Sequence, residues 1–174
     1  MANKWYMTWE EVNSACVDLV HTIQEARFTP TTIVAVAKGG IIPAGIVHQF
    51  FPQAHIIVLR VSSYFKGQQF SPPVIHNPEV LTFVDPEKTL VVDDICDSGN
   101  TFEALRHGVG QDMKYAAMLI REGHDNPSLC DFKKWVAPHG WVTFPWEENI
   151  TEKMDLVVVR QKDGPVGEAL PTRP

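Results

Sequence analysis

No other part of this chain restricts its fold as much as Thr89-Leu90-Val91-Val92-Asp93-Asp94-Ile95-Cys96-Asp97-Ser98-Gly99-Asn100-Thr101. Leu90 to Val92 is a short, valine-rich apolar run with no polar break, which predicts a strand buried on both faces of a parallel sheet. Asp93 and Asp94 then close that strand at its carboxyl end, where open α/β sheets place ligands. Neighbouring carboxylates repel unless something positive or rich in hydroxyls lies between them. A magnesium-bound sugar diol is such a partner, because magnesium takes hard oxygen ligands.

The residues that follow are turn chemistry. Gly99 permits a positive backbone torsion and Asn100 tolerates one, so the loop can aim its N–H groups inward. Phe102 onward reads as a helix, which leaves those donors at a positive helix end suited to a phosphate, with the Ser98 and Thr101 hydroxyls beside them. A capped strand-loop-helix crossover with solvated acids would contain the same Asp-Asp pair. The run of strand, Asp-Asp, spacer, Asp, small residue, Gly, any residue and Thr is far more restrictive.

This stretch resembles the phosphoribosyl-diphosphate motif of type I phosphoribosyltransferases, and other segments are most similar to the bacterial xanthine-guanine phosphoribosyltransferase type. Thr32 to Ala37 reads as a second buried strand that stops at Lys38-Gly39-Gly40 before Ile41 opens a helix. Two glycines let the backbone approach a ligand and turn amides toward an anion, although a bland turn uses the same pair. The family loop reads Ser-Arg-Gly-Gly-Leu-Val-Pro-Gly and holds pyrophosphate; Ala37-Lys38-Gly39-Gly40-Ile41-Ile42-Pro43-Ala44 is similar to it, with Lys38 in the Arg place. Charge is kept there, while the bidentate fork is not.

His55 to Val61 is the next predicted strand, followed by Ser62-Ser63-Tyr64, which in the family marks the mouth of a mobile loop. Residues 65–87 contain four prolines and no hydrophobic period, and a connection of that length implies a lid. The family's lid Arg has no counterpart here, which leaves Lys66 as the basic candidate for pyrophosphate.

Tyr115 to Ile120 is a further buried strand that delivers Arg121 to the carboxyl edge, where a family Lys bonds the purine 6-oxygen. His139-Gly140-Trp141-Val142-Thr143-Phe144-Pro145-Trp146-Glu147 resembles the family's Trp-Ile-x-x-Pro-Trp segment. By that resemblance Trp141 stacks on the base, Val142 bonds its edge through backbone, and Trp146 is packing. Asp97 takes the place of an acid near the purine N7, the expected general base. Asp93 and Asp94 are the expected metal ligands, and magnesium the expected cofactor.

The flanks are scaffold. Thr8-Trp9-Glu10-Glu11 has capping-box spacing, and Val12, Cys16, Leu19, Val20 and Ile23 recur at helical intervals before Thr29-Pro30. Lys133 to Ala137 reads as a short strand, Leu156 to Val159 as another, and Asp163 to Pro174 as a tail.

The expected architecture is α/β with the type I phosphoribosyltransferase fold: a central, mostly parallel sheet flanked by helices, a lid, and a small hood carrying the base-binding segment. At 174 residues the chain suits one domain, with a core at about 8–120, the lid at about 65–87, the hood at about 121–148, and a C-terminal strand and tail at 149–174. The formal charge of −6, without a basic run, excludes a nucleic-acid backbone as partner. Three widely spaced cysteines and no leader point to a reduced, cytoplasmic setting, and no apolar segment approaches the roughly 20 residues needed to cross a bilayer. Seven scattered histidines without i, i+4 pairing argue against zinc.

The activity implied is transfer of a phosphoribosyl group from phosphoribosyl diphosphate to a 6-oxopurine, in a homodimer or homotetramer. A sensor that binds phosphoribosyl diphosphate without turnover and a transferase for another base are the alternatives. A nicotinamide-binding domain lacks its G-x-G-x-x-G.

Overall fold

The computed structural model describes residues 4–65, 68–121 and 129–147. In chain order the elements are β1 (Lys4–Tyr6), α1 (Trp9–Glu25), β2 (Thr32–Ala37), α2 (Ile41–His48), β3 (His55–Phe65), β4 (Gln68–Ile75), β5 (Thr89–Cys96), α3 (Asn100–Gly108), β6 (Lys114–Arg121), β7 (Trp135–Ala137) and β8 (Trp141–Thr143). Two 3-10 turns, Pro78–Leu81 and Pro86–Lys88, lead into β5. The predicted C-terminal strand and tail lie outside the described residues.

Six strands form one sheet in the order β4-β3-β2-β5-β6-β7. All neighbouring pairs are parallel except β3 with β4. The central strands read as unbroken apolar runs because both of their faces are covered. Ile33 and Ala35 of β2 pack with Leu90 and Val92 of β5 beneath Leu19, Ile23, Ala44 and Val47 of α1 and α2. The alternate residues Val34, Val36 and Val91 pack on the other face with Phe102 and Leu105 of α3 and with Tyr115. Each fully buried Val, Leu, Ile or Phe side chain among these contributes about 1.5–3 kcal/mol.

Local chemistry sets the ends of the elements. The Thr8 hydroxyl accepts from the Glu11 amide at 3.1 Å, and Glu11 answers at the Thr8 amide at 2.8 Å, so the predicted capping box is present at α1. Asp131 ties α3 to β6. Its carboxylate accepts from Arg106 at 2.6 Å, Lys114 at 3.2 Å and the Tyr115 amide at 2.9 Å, while the Arg106 guanidinium lies 4.3 Å from the Tyr115 ring centre.

The structure differs from the sequence reading in the supposed lid. Residues 68–75, expected within a structureless loop, form β4 and pair antiparallel with β3, whose own span runs to Phe65 rather than Val61. Two prolines hid the strand, and they are tolerated because β4 is the sheet edge, where one flank of N–H groups has no partner to lose. Asn77 then extends the ladder with its side chain, accepting from the Arg60 amide at 2.7 Å and donating to the Val58 carbonyl at 3.1 Å.

A second small sheet also went unread: β1 pairs parallel with β8, Trp5 lying opposite Val142. Three-residue strands are too short to show an alternation.

Because α3 carries one of the candidate loops, its tether to β6 has a measurable consequence. Asp131→Ala removes three donors' common acceptor and is expected to cost about 2 kcal/mol. Urea unfolding should show a lower midpoint at an unchanged slope.

Candidate active site

Strand order determines where a ligand can lie. The chain leaves β2 through α2 toward β3 on one side, and returns to place β5 on the other. β2 and β5 are therefore parallel neighbours whose following helices pack on opposite faces of the sheet. Such a topological switch point opens a crevice at the carboxyl ends of the two strands. Residues 38–40 and 97–99 are the loops on its two sides, as the sequence pattern required.

The first loop touches β5. Gly39 lies so close to the Asp94 carboxylate that any β-carbon there would collide with it, and Gly40 is equally tight against the Val92 and Val36 carbonyls. The Gly40 amide donates to Val36 O at 2.8 Å and the Ile41 amide to Lys38 O at 3.2 Å. What Gly40 contributes is thus room for the backbone, since its donor points back into the strand. Lys38 is exposed at the rim, and the Ala37–Lys38 peptide is cis.

Asp93 and Asp94 fall inside β5 rather than after it, because the strand continues to Cys96. Asp93 is buried, and its carboxylate accepts from the Asp94 amide at 2.9 Å; Asp94 accepts from the Ile95 amide at 2.7 Å. Burial, reinforced by the negative Asp94, pushes the Asp93 carboxyl well above its ordinary range. Burial likewise pushes Asp94 up to about 6, with Glu147 adding to the rise. No cluster of three or more metal-ligating side chains occurs among the described residues. Two close, charge-starved carboxylates nonetheless suit magnesium, which commonly takes one or two protein carboxylates and draws its other oxygens from substrate and water.

The second loop has the predicted turn. Gly99 has φ 83°, the left-handed conformation, and its missing side chain leaves room for Leu129. Asn100 is the first residue of α3, and its amide lies 3.4 Å from the Ser98 hydroxyl. Gly99, the N-cap of α3, has no side chain to cap the helix, so the positive helix end lies in this loop, where the Ser98 hydroxyl accepts from the Asn100 amide. Ser98 is exposed at this rim, and Thr101 sits in the first turn of the helix.

Arg121 ends β6 beside this loop. Its Nε donates to Asp97 Oδ1 at 2.7 Å, and its Nη1 donates to the carbonyls of Pro138 at 2.8 Å and Gly140 at 2.7 Å. The sequence reading missed this bridge, because nothing in the spacing of residues 97, 121 and 138–140 links them. Trp141 follows directly and is 63% exposed, a flat apolar wall available to a ligand, while Val142 is buried. Trp146 packs instead, stacked on Phe144 with centroids 4.7 Å apart and planes within 3°. Lys66 lies outside the described residues.

The family model described as "Phosphoribosyl transferase domain" matches residues 8–128, most of the chain and both loops. The chain belongs to the phosphoribosyltransferase family. It is similar to the xanthine-guanine phosphoribosyltransferase of Vibrio atlanticus (strain LGP32), 28% identical over 87% of this chain and 94% of the relative. The enzyme of that name from Gluconobacter oxydans (strain 621H) is 30% identical over 81% of this chain and 83% of its own length. Among solved structures, a purine phosphoribosyltransferase from Pyrococcus horikoshii Ot3 superposes with a TM-score of 0.62 at 27% identity, covering 83% of this chain and 94% of that one. The type I fold expected from sequence is therefore the fold observed, and the protein is a pentosyl-transferring enzyme. As a phosphoribosyltransferase it keeps the paired acids and the glycine pair facing each other, while the matched region stops before Trp141.

The raised carboxyls make stability depend on pH in a stated direction. A carboxyl whose folded pKa lies above its unfolded value favours folding fully below the unfolded pKa, and that benefit is lost as pH rises through the folded one. For Asp94 the window runs from the ordinary value of 3.8 to about 6. A rise of that size corresponds to about 3 kcal/mol at most. Asp94→Asn should therefore melt at a higher temperature than the parent at pH 8, with the gap closing toward pH 4, as read by calorimetry of the ligand-free protein.

Proposed function

We propose that this phosphoribosyltransferase moves the 5-phosphoribosyl group from phosphoribosyl diphosphate to a ring nitrogen of a 6-oxopurine: guanine, xanthine or hypoxanthine. The products are the nucleoside 5'-monophosphate and pyrophosphate, a purine-salvage reaction. The observation that carries this reading is the contact of Gly39 with Asp94 in β5, the strand that runs on to Asp97 and its partner Arg121, which holds the turn before Trp141. In this reading the anion-binding side and the aromatic side share one crevice, as a sugar joining pyrophosphate to a base requires.

The uncapped start of α3, with Ser98, Gly99, Asn100 and Thr101, cradles the 5-phosphate through backbone and hydroxyl donors. Lys38 and the 38–40 backbone meet the pyrophosphate, with Lys66 as a further cation. Asp93 and Asp94 hold the ribose hydroxyls and the magnesium ion, which when bound supplies positive charge against the leaving pyrophosphate. As the leaving group departs, the sugar takes on oxocarbenium character, and anionic Asp93 and Asp94 lie beneath it. Asp97 accepts the proton from the attacking purine, Trp141 stacks on the ring, and the Val142 backbone meets its edge.

Arg121 supplies donors near the base, which favours an oxo over an amino group at position 6, because adenine would present donor to donor. The expected partners are therefore phosphoribosyl diphosphate and a purine, in a homo-oligomer acting in the cytoplasm.

Two measurements test this. With phosphoribosyl diphosphate and magnesium, pyrophosphate release should require an added purine, and guanine, xanthine or hypoxanthine should outperform adenine. Adenine as the best acceptor refutes the specificity argument, and release without purine refutes the transfer. Asp97→Asn keeps an acceptor oxygen for Arg121 and should lower turnover by about 10²–10⁴-fold with little change in melting temperature; activity within threefold of the parent removes Asp97 from the reaction.

A further inference from the structure

The Arg121 bridge does more than place a donor beside the base. One guanidinium, in a side chain only 12% exposed, joins the loop after β5 to the turn between β7 and β8 through three bonds of 2.7–2.8 Å. The turn needs such a partner. The carbonyls of residues 138 and 140 converge on a single nitrogen, and Gly140 reaches that geometry at φ 114°, a left-handed conformation. Neither residue belongs to a strand that could supply a donor.

Beyond the turn, β8 is three residues long and, among the described residues, pairs with the three residues of β1. A two-stranded ribbon of that size is marginal by itself. Val142 and Phe144 anchor its inner side, whereas Trp141, opposite Lys4 of β1, follows the turn directly and is largely exposed.

We propose that Arg121 is a positioning residue: by clamping the 138–140 turn to Asp97 it sets the height of the Trp141 wall over the base, whatever contact it also makes to the base. The inference rests on the assignment of Trp141 to the purine subsite. It explains what an Arg achieves here that a Lys does not. A lysine ammonium offers three donors from one point, while the planar guanidinium spans a carboxylate on one edge and two carbonyls on the other.

Arg121→Lys separates the two roles, because it keeps a cationic donor for the base and loses the span. Amide hydrogen exchange of the ligand-free protein should quicken at least tenfold at residues 140–143 and stay unchanged in β2. The KM for purine should rise at least tenfold, while the affinity for phosphoribosyl diphosphate with magnesium, measured by calorimetry, stays within threefold of the parent. Arg121→Met should quicken the same amides. Exchange at 140–143 or a purine KM within twofold of the parent in Arg121→Lys overturns the proposal. The exchange measurement needs no substrate, so it judges the clamp even if no purine is turned over, a result that would instead sink the assigned reaction.

Discussion

The crevice exists because residues 39 and 40 have no side chains. The backbone after β2 lies against the Asp94 carboxylate and against carbonyls of β2 and β5, distances at which even one β-carbon would force the two strands apart. Close approach brings the 38–40 loop against the paired acids. It also explains the electrostatics: the acids are covered, and covering raises their affinity for protons until a cation or a hydroxyl-rich ligand offers something better. The site is thus poised for a ligand by the packing that creates it.

Around that contact the rest of the fold acts as a frame. Apolar strands covered on both faces hold β2 and β5 in register, Thr32 opposite Thr89 through Ala35 opposite Val92. α2 and α3 start at the two loops and leave on opposite faces, so the positive end of α3 is presented to the gap between them. Asp131 fixes α3 to β6, and β6 ends in Arg121, which reaches back to Asp97 and outward to the turn before Trp141. The loops after β2 and β5 are therefore built on long buried strands. The segment bearing Trp141 follows a turn bonded to one guanidinium and lies in a short ribbon.

This division matches how different regions relate to known proteins. The family match covers residues 8–128, the frame and both loops, while the Trp141 segment lies beyond it.

Legibility in the sequence followed the same division. Unbroken apolar runs, a glycine pair and the Asp93-Asp94 pair are local patterns with local causes, so the parallel strands, the αL turn at Gly99 and the capping box at Thr8 could be read directly. The edge strand β4 could not, since prolines signal a loop unless the strand's position at the sheet margin is known. Nor could β1 with β8, or the bridge from Arg121 to residues 97, 138 and 140, since these join segments far apart in the chain through contacts that leave no period behind. The sequence by itself determined the fold class and the glycine-bearing loops that follow β2 and β5, because burial and backbone torsion act over a few residues. Only the tertiary structure decided which groups each carboxylate and guanidinium meets, because those pairings depend on strand order, which brings segments distant in the chain to neighbouring strand ends.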